Sequence, residues 1–131
     1  MKYEETKFSN KSRQYLQGIH PELIRVMELA LNYSHVPFAI TEGLRSIERQ
    51  RSLVAEGKSQ TMNSRHLTGH AVDVVALPAG VVSWEGAFYQ NIADAVAQAA
   101  QECLVAVEWG GNWNTLKDGA HFQLSQHDYP A

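Results

Sequence analysis

The run Ala71-Val72-Asp73-Val74-Val75 constrains the fold of this chain more than any other stretch. Three β-branched valines in five residues, flanked by Gly69 on one side and by Pro78 and Gly80 on the other, read as a strand. Side chains alternate between the two faces of a strand, so Asp73 lies opposite Val72 and Val74. One face is apolar and the other carries a carboxylate.

Around this strand the hydrophobic pattern alternates between helical and extended periods. Pro21 suits a first helical turn, and Leu23, Met27, Ala30 and Leu31 follow at helical spacing, which predicts a helix ending near Ser34. Val36 to Thr41 is rich in β-branched and aromatic residues apart from Pro37 and reads as a strand entering Glu42-Gly43-Leu44-Arg45. Ser46 can cap a second helix with Ile47, Gln50 and Val54 on one face and Gly57 as its stop. Residues 58–69 have no period and read as loop, and Pro78-Ala79-Gly80 reads as a turn.

Phe88, Ile92, Val96 and Ala99 predict a third helix ending near Cys103. Leu104 to Trp109 reads as a strand, Gly110-Gly111-Asn112 as a turn, and His121 to Leu124 as a short last strand. In that last strand His121 and Gln123 face away from Phe122 and Leu124. The expected architecture is α+β, a small antiparallel sheet packed with about three helices. At 131 residues and 44% apolar content, the chain can build one core, so residues 1–131 are expected to form a single domain.

Composition narrows the function classes. Residues 1–65 carry 10 Lys/Arg against 7 Asp/Glu, and residues 66–131 carry 1 against 7. The only candidate basic stripe, residues 45–65, is diluted by Glu48 and Glu56, which argues against nucleic-acid binding. The first thirty residues lack the apolar run of a signal peptide, and nothing approaches the roughly 20 apolar residues of a membrane span. A protein made in the cytoplasm is therefore expected, most simply a monomer. The single Cys103 excludes an internal disulfide and a multi-cysteine zinc site, and a buried apolar role suits it.

A catalytic zinc needs three protein ligands, His or Asp/Glu among them, with a further position open to water. His66 sits at a loop-to-strand junction, Asp73 on the polar face of its strand, and His121 at the start of another. Adjacent strands could bring the three together; the competing reading makes them hydrogen-bonded polar groups at a sheet edge. His66 and His70 form an H-x-x-x-H pair, but Leu67 stands where the helical zinc motif needs Glu, and Thr68-Gly69 disfavours a helix. His70 is therefore given a supporting role beside the ligands.

The segment Ser64-Arg65-His66-Leu67-Thr68-Gly69-His70-Ala71-Val72-Asp73 resembles the S-x-H-x-x-G-x-A-x-D motif of the zinc D-alanyl-D-alanine carboxypeptidase and L-alanyl-D-glutamate endopeptidase family. Asp118-Gly119-Ala120-His121 is similar to its second motif, with an acid three residues before the last zinc ligand. Arg45-Ser46 with Gln50 matches the family's Arg-Ser...Gln segment, and Gly18-Ile19-His20-Pro21-Glu22-Leu23 resembles the entry to the first helix in the phage endolysin branch. The likeness implies a hedgehog/DD-peptidase-like fold and Zn2+ on His66, Asp73 and His121. It also implies Asp118 as general base, Arg45 on the polarised carbonyl, and a peptidoglycan stem peptide as substrate. The bond implied is L-alanyl-D-glutamate, cut by an endolysin that reaches the periplasmic cell wall after release. The alternatives are a D-Ala-D-Ala carboxypeptidase or dipeptidase, and a zinc-holding domain that binds wall fragments without cutting them.

Each supporting residue has a second reading. Arg45 could be an ordinary ion-pair partner of Glu42 or Glu48. Glu108 ranks behind Asp118 as base. Ser64 could hold a zinc ligand or only the loop. Trp109, Trp113 and Gln50 are placed in contact with substrate, against a competing core role for the two indoles. Gly69 provides backbone room beside the site.

Overall fold

The structure is a computed structural model that describes residues 6–59, 62, 64–113 and 117–130. Four helices, α1 (Asn10–Tyr15), α2 (Pro21–Tyr33), α3 (Ile47–Ala55) and α4 (Gly86–Cys103), accompany four strands. The strands are β1 (Phe38–Glu42), β2 (Ala71–Ala76), β3 (Val107–Trp109) and β4 (His121–Leu124). They form one antiparallel sheet in the order β1-β2-β4-β3. The α+β architecture and the antiparallel sheet agree with the sequence reading, and so do the three longer helices.

The core follows from the two periods. On α2 the buried stripe is Leu23, Val26, Met27, Ala30 and Leu31, and it packs against α4, which buries Ile92, Val96, Ala99 and neighbouring alanines. Val72, Val74, Phe122 and Leu124 supply the sheet side of the same core. Alternation then turns Asp73, His121 and Gln123 to the opposite face.

Four local differences from the sequence reading have physical causes. Helix α1 has no long apolar stripe; Ser9 caps it by accepting from the Ser12 N–H at 3.2 Å, and Ser12 Oγ accepts from the Ile40 N–H at 3.1 Å, tying α1 to β1. On α3 the buried side chains are Gln50 and Leu53, while Ile47 is 57% exposed. Leu104 is not in a strand: it caps α4 in the left-handed region at φ 58° and is 92% exposed. The expected loop 58–69 contains a 3-10 turn over Arg65–Thr68, capped by Ser64 and closed by Gly69 at φ 77°; Gln60, Thr61 and Asn63 of that loop lie outside the described residues.

Candidate active site

Strand register builds the centre of the site. Asp73 is opposite His121 on β4 and opposite Glu42 on β1, which places the three side chains in one row on the face away from the core. A register shift between Ile40 and Glu42, the signature of a bulge, brings Glu42 into that row and turns the chain toward Arg45. His66 comes from the 3-10 turn, held by the Ser64 hydroxyl accepting from its N–H at 3.2 Å.

The result is a compact His-Asp-His cluster. One ligating atom from each of His66, Asp73 and His121 lies within 4.8 Å of the others. The two imidazole rings are 5.1 Å apart at 72°. Asp73 Oδ1 lies 3.1 Å from His121 Nδ1 and 3.3 Å from His66 Nε2. His66 Nδ1 lies 2.9 Å from the Gly43 carbonyl, which can only accept, so the ring proton sits on Nδ1. In a neutral ring that leaves a lone pair on Nε2, a buried atom with no hydrogen-bond partner among the described residues. A nitrogen lone pair facing a carboxylate oxygen is repulsive unless a cation lies between them. The donor set, two imidazoles and one carboxylate without sulfur, fits a divalent metal with an open position.

Burial alone would raise the Asp73 carboxyl, but contacts with His121 and His66 outweigh it and hold the group well below the usual carboxylate range. Burial pulls the His121 imidazolium down, yet the Asp73 contact and charge more than compensate, and its pKa rises. Asp118 moves upward because surrounding protein atoms displace water and because the Asp73 charge opposes its ionisation.

Asp118 sits on the turn before β4. Its N–H donates to the Gly110 carbonyl at 3.1 Å, its carbonyl accepts from the His121 N–H at 3.2 Å, and its Oδ1 accepts from the Ala120 N–H at 3.2 Å. A Cβ at Gly110 would meet the Asp118 carbonyl at 2.4 Å and His121 Cβ at 3.2 Å, so glycine is required beneath this turn. Trp109 holds its other side by donating its indole N–H to the Gly119 carbonyl at 2.8 Å.

Arg45 flanks the cluster with its side chain only 8% exposed. Its Nε donates to Glu42 at 2.7 Å, its Nη1 donates to Gln50 Oε1 at 2.7 Å and to Ser64 at 3.5 Å, and its Nη2 lies 3.7 Å from Asp73 Oδ2. The ion pair with Glu42 and the position beside the cluster are therefore both present. Gln50 is fully buried, which removes it from direct contact with a substrate; its influence runs through Arg45.

A profile of the phage L-alanyl-D-glutamate peptidase family matches residues 4–127. The chain belongs to this family. The L-alanyl-D-glutamate peptidase of Escherichia phage T5 is 31% identical over 94% of this chain and 92% of its own length. That of Listeria phage A118 is 36% identical over 69% of the chain, which matches 31% of that longer protein. The crystal structure of Serratia marcescens L-Ala D-Glu endopeptidase ChiX is 63% identical, with a TM-score of 0.91 over 98% of this chain and 96% of that one.

In this family member the site also draws on residues to which the sequence reading gave no role. Gly43 supplies the carbonyl that orients His66. Gln123 Oε1 lies 2.8 Å from His121 Nε2; its placement two residues after His121 on the same face was the available signal. His70 stands apart, its Nδ1 2.7 Å from the Thr68 hydroxyl, and its pKa is lowered by burial and by the Arg65 and His20 charges. Trp113 is beside the cluster, its ring 5.2 Å from that of His121. Trp109 stacks on Phe122, and so combines a core contact with its hold on the Asp118 turn.

Proposed function

We propose that this family member is a zinc-dependent peptidoglycan peptidase that hydrolyses the L-alanyl-D-glutamate bond of stem peptides, acting as a phage or prophage endolysin. The single observation that carries the metal dependence is the buried His66 Nε2, 3.3 Å from the Asp73 carboxylate and without a hydrogen-bond partner among the described residues. The family and the named activities of its relatives carry the choice of bond.

His66 Nε2, Asp73 and His121 Nδ1 would hold the cation. When bound, such an ion supplies Lewis acidity toward a carbonyl and acidifies water to a pKa of about 7. Asp118 then accepts the proton from the attacking water and returns it to the leaving D-glutamate amine. The Nη2 edge of Arg45 faces the cluster and stabilises negative charge developing on the former carbonyl oxygen. Glu42 and Gln50 fix that guanidinium beforehand, so little reorganisation is needed as charge develops.

Trp113 flanks the site, its ring 5.2 Å from that of His121, and in this reading it contacts the substrate. No helix among the described residues is long and apolar enough to cross a membrane. Incubation of the purified protein with peptidoglycan, followed by mass spectrometry of the new termini, tests the reading. Expected products carry carboxy-terminal L-alanine and amino-terminal D-glutamate; chelation should abolish their release and Zn2+ restore it. Free D-alanine as the only product would assign a carboxypeptidase instead, and wall binding without new termini would assign a binding domain.

A further inference from the structure

An imidazole has one lone pair to give a metal, and which nitrogen holds it is decided by the acceptor that keeps the proton on the other. The two histidines of the cluster solve this in opposite senses. His66 presents Nε2 because the Gly43 carbonyl accepts at Nδ1. His121 presents Nδ1 toward Asp73 at 3.1 Å, so with a cation on Nδ1 the remaining ring proton has to sit on Nε2. The acceptor there is a side chain, Gln123 Oε1 at 2.8 Å.

Strand geometry explains why a side chain is used. The backbone groups of β4 point sideways into ladders with β2 and β3, away from an imidazole standing on the sheet face. Along β4 the next residue on that face is Gln123. Its cross-strand neighbours offer no substitute: Ala71 on β2 has no acceptor, and Glu108 on β3 is exposed at the sheet edge. Gln123 also accepts without a charge, so it holds the proton without adding a negative group beside Asp73 and Asp118.

We propose that Gln123 is a positioning residue that locks His121 in the Nε2–H form and so delivers Nδ1 to the metal. This inference rests on the metal-site reading above.

The test uses metal-stripped full-length protein and Zn2+ affinity measured by competition with a chromophoric chelator. Gln123→Met keeps length but removes the acceptor, and its Zn2+ affinity should fall about 10- to 100-fold. Gln123→Glu keeps an acceptor and should lose less than about tenfold. A merely structural role would not separate the two variants in this way once thermal melts show both folded. Independently of any variant, 15N imidazole spectra of the Zn2+-loaded wild type should show Nδ1 coordinated and Nε2 protonated.

Equal Zn2+ binding by wild type and Gln123→Met would overturn the proposal. So would a Gln123→Glu protein as weak as Gln123→Met, or His121 coordinated through Nε2. Failure of the wild type to bind Zn2+ at all would instead overturn the metal reading itself, and this inference with it.

Discussion

The sheet and the loops each contribute half of the site, and they hold their side chains by different means. Asp73 and His121 are set by strand register, a repeated main-chain pattern in which a one-residue slip would turn both to the core. Arg45 and His66 are held instead by individual hydrogen bonds. The Arg45 N–H donates to the His66 carbonyl at 2.9 Å, His66 donates to Gly43, and Glu42 with Gln50 grips the guanidinium. Register is distributed over many bonds and resists a single substitution, whereas each loop contact is one bond deep. Losses on the sheet side should therefore appear as lost metal, and losses on the Arg45 side as lost turnover with metal retained.

The largest contrast is expected between two residues three apart. His121→Ala should retain no stoichiometric Zn2+ in metal analysis and show no hydrolysis, while Asp118→Ala keeps Zn2+ and loses about 10²- to 10⁴-fold in kcat. Full turnover by Asp118→Ala would remove it as the base. Next, Arg45→Lys should lower kcat about 10²- to 10³-fold with Zn2+ affinity unchanged, because a point-charge ammonium cannot keep the forked contacts to Glu42 and Gln50. A rise in KM alone would show that Arg45 only binds substrate.

Gln50→Leu sharpens the comparison from inside the loop region. It leaves a buried guanidinium hydrogen without its acceptor and should cost about 1–3 kcal/mol in urea unfolding, along with a lower kcat. Loss of Zn2+ in this variant would show that the two halves are not separable. On the sheet side, the raised His121 pKa means that the metal-free ring still holds a proton above the ordinary histidine value of about 6.5. A cation must displace that proton, so Zn2+ affinity should rise with pH and level off once the free ring is neutral. Calorimetry in two buffers of different ionisation enthalpy should show proton release that shrinks in step. The smallest effect belongs to His70→Ala, within about 0.5 kcal/mol of wild type, since among the described residues its ring hydrogen-bonds the Thr68 hydroxyl and none of the three cluster residues.

The legible part of the molecule follows the same division. Alternation in residues 71–75 and 121–124 was enough to put Asp73 and His121 on one face, because a period of two leaves little choice once the apolar side is buried. Helices α2 and α4 were readable from their apolar spacing, and α3 from Ser46 and Gly57. Short α1 was not, since it has no long apolar stripe and its hydrogen bond to β1 comes from a serine hydroxyl accepting from the Ile40 N–H across 28 positions. Nor could spacing reveal that Gln50 is buried or that Gly43 supplies an acceptor. Those facts depend on how Glu42-Gly43-Leu44-Arg45 folds back over the 64–69 turn, a long-range contact with no periodic trace.

The amino-terminal segment holds no catalytic group, yet it touches both loops backbone to backbone. A Cβ on Gly43 would lie 1.9 Å from the Tyr15 carbonyl oxygen, one on Gly69 would lie 2.4 Å from that of Gly18, and the His20 N–H donates to the Gly69 carbonyl at 2.9 Å. Residues 15–20 thus act as a spacer with the thickness of a bare main chain. A graft of this fold that trims them, or adds even one methyl group at either glycine, would alter the gap between guanidinium and imidazole without touching any reacting atom.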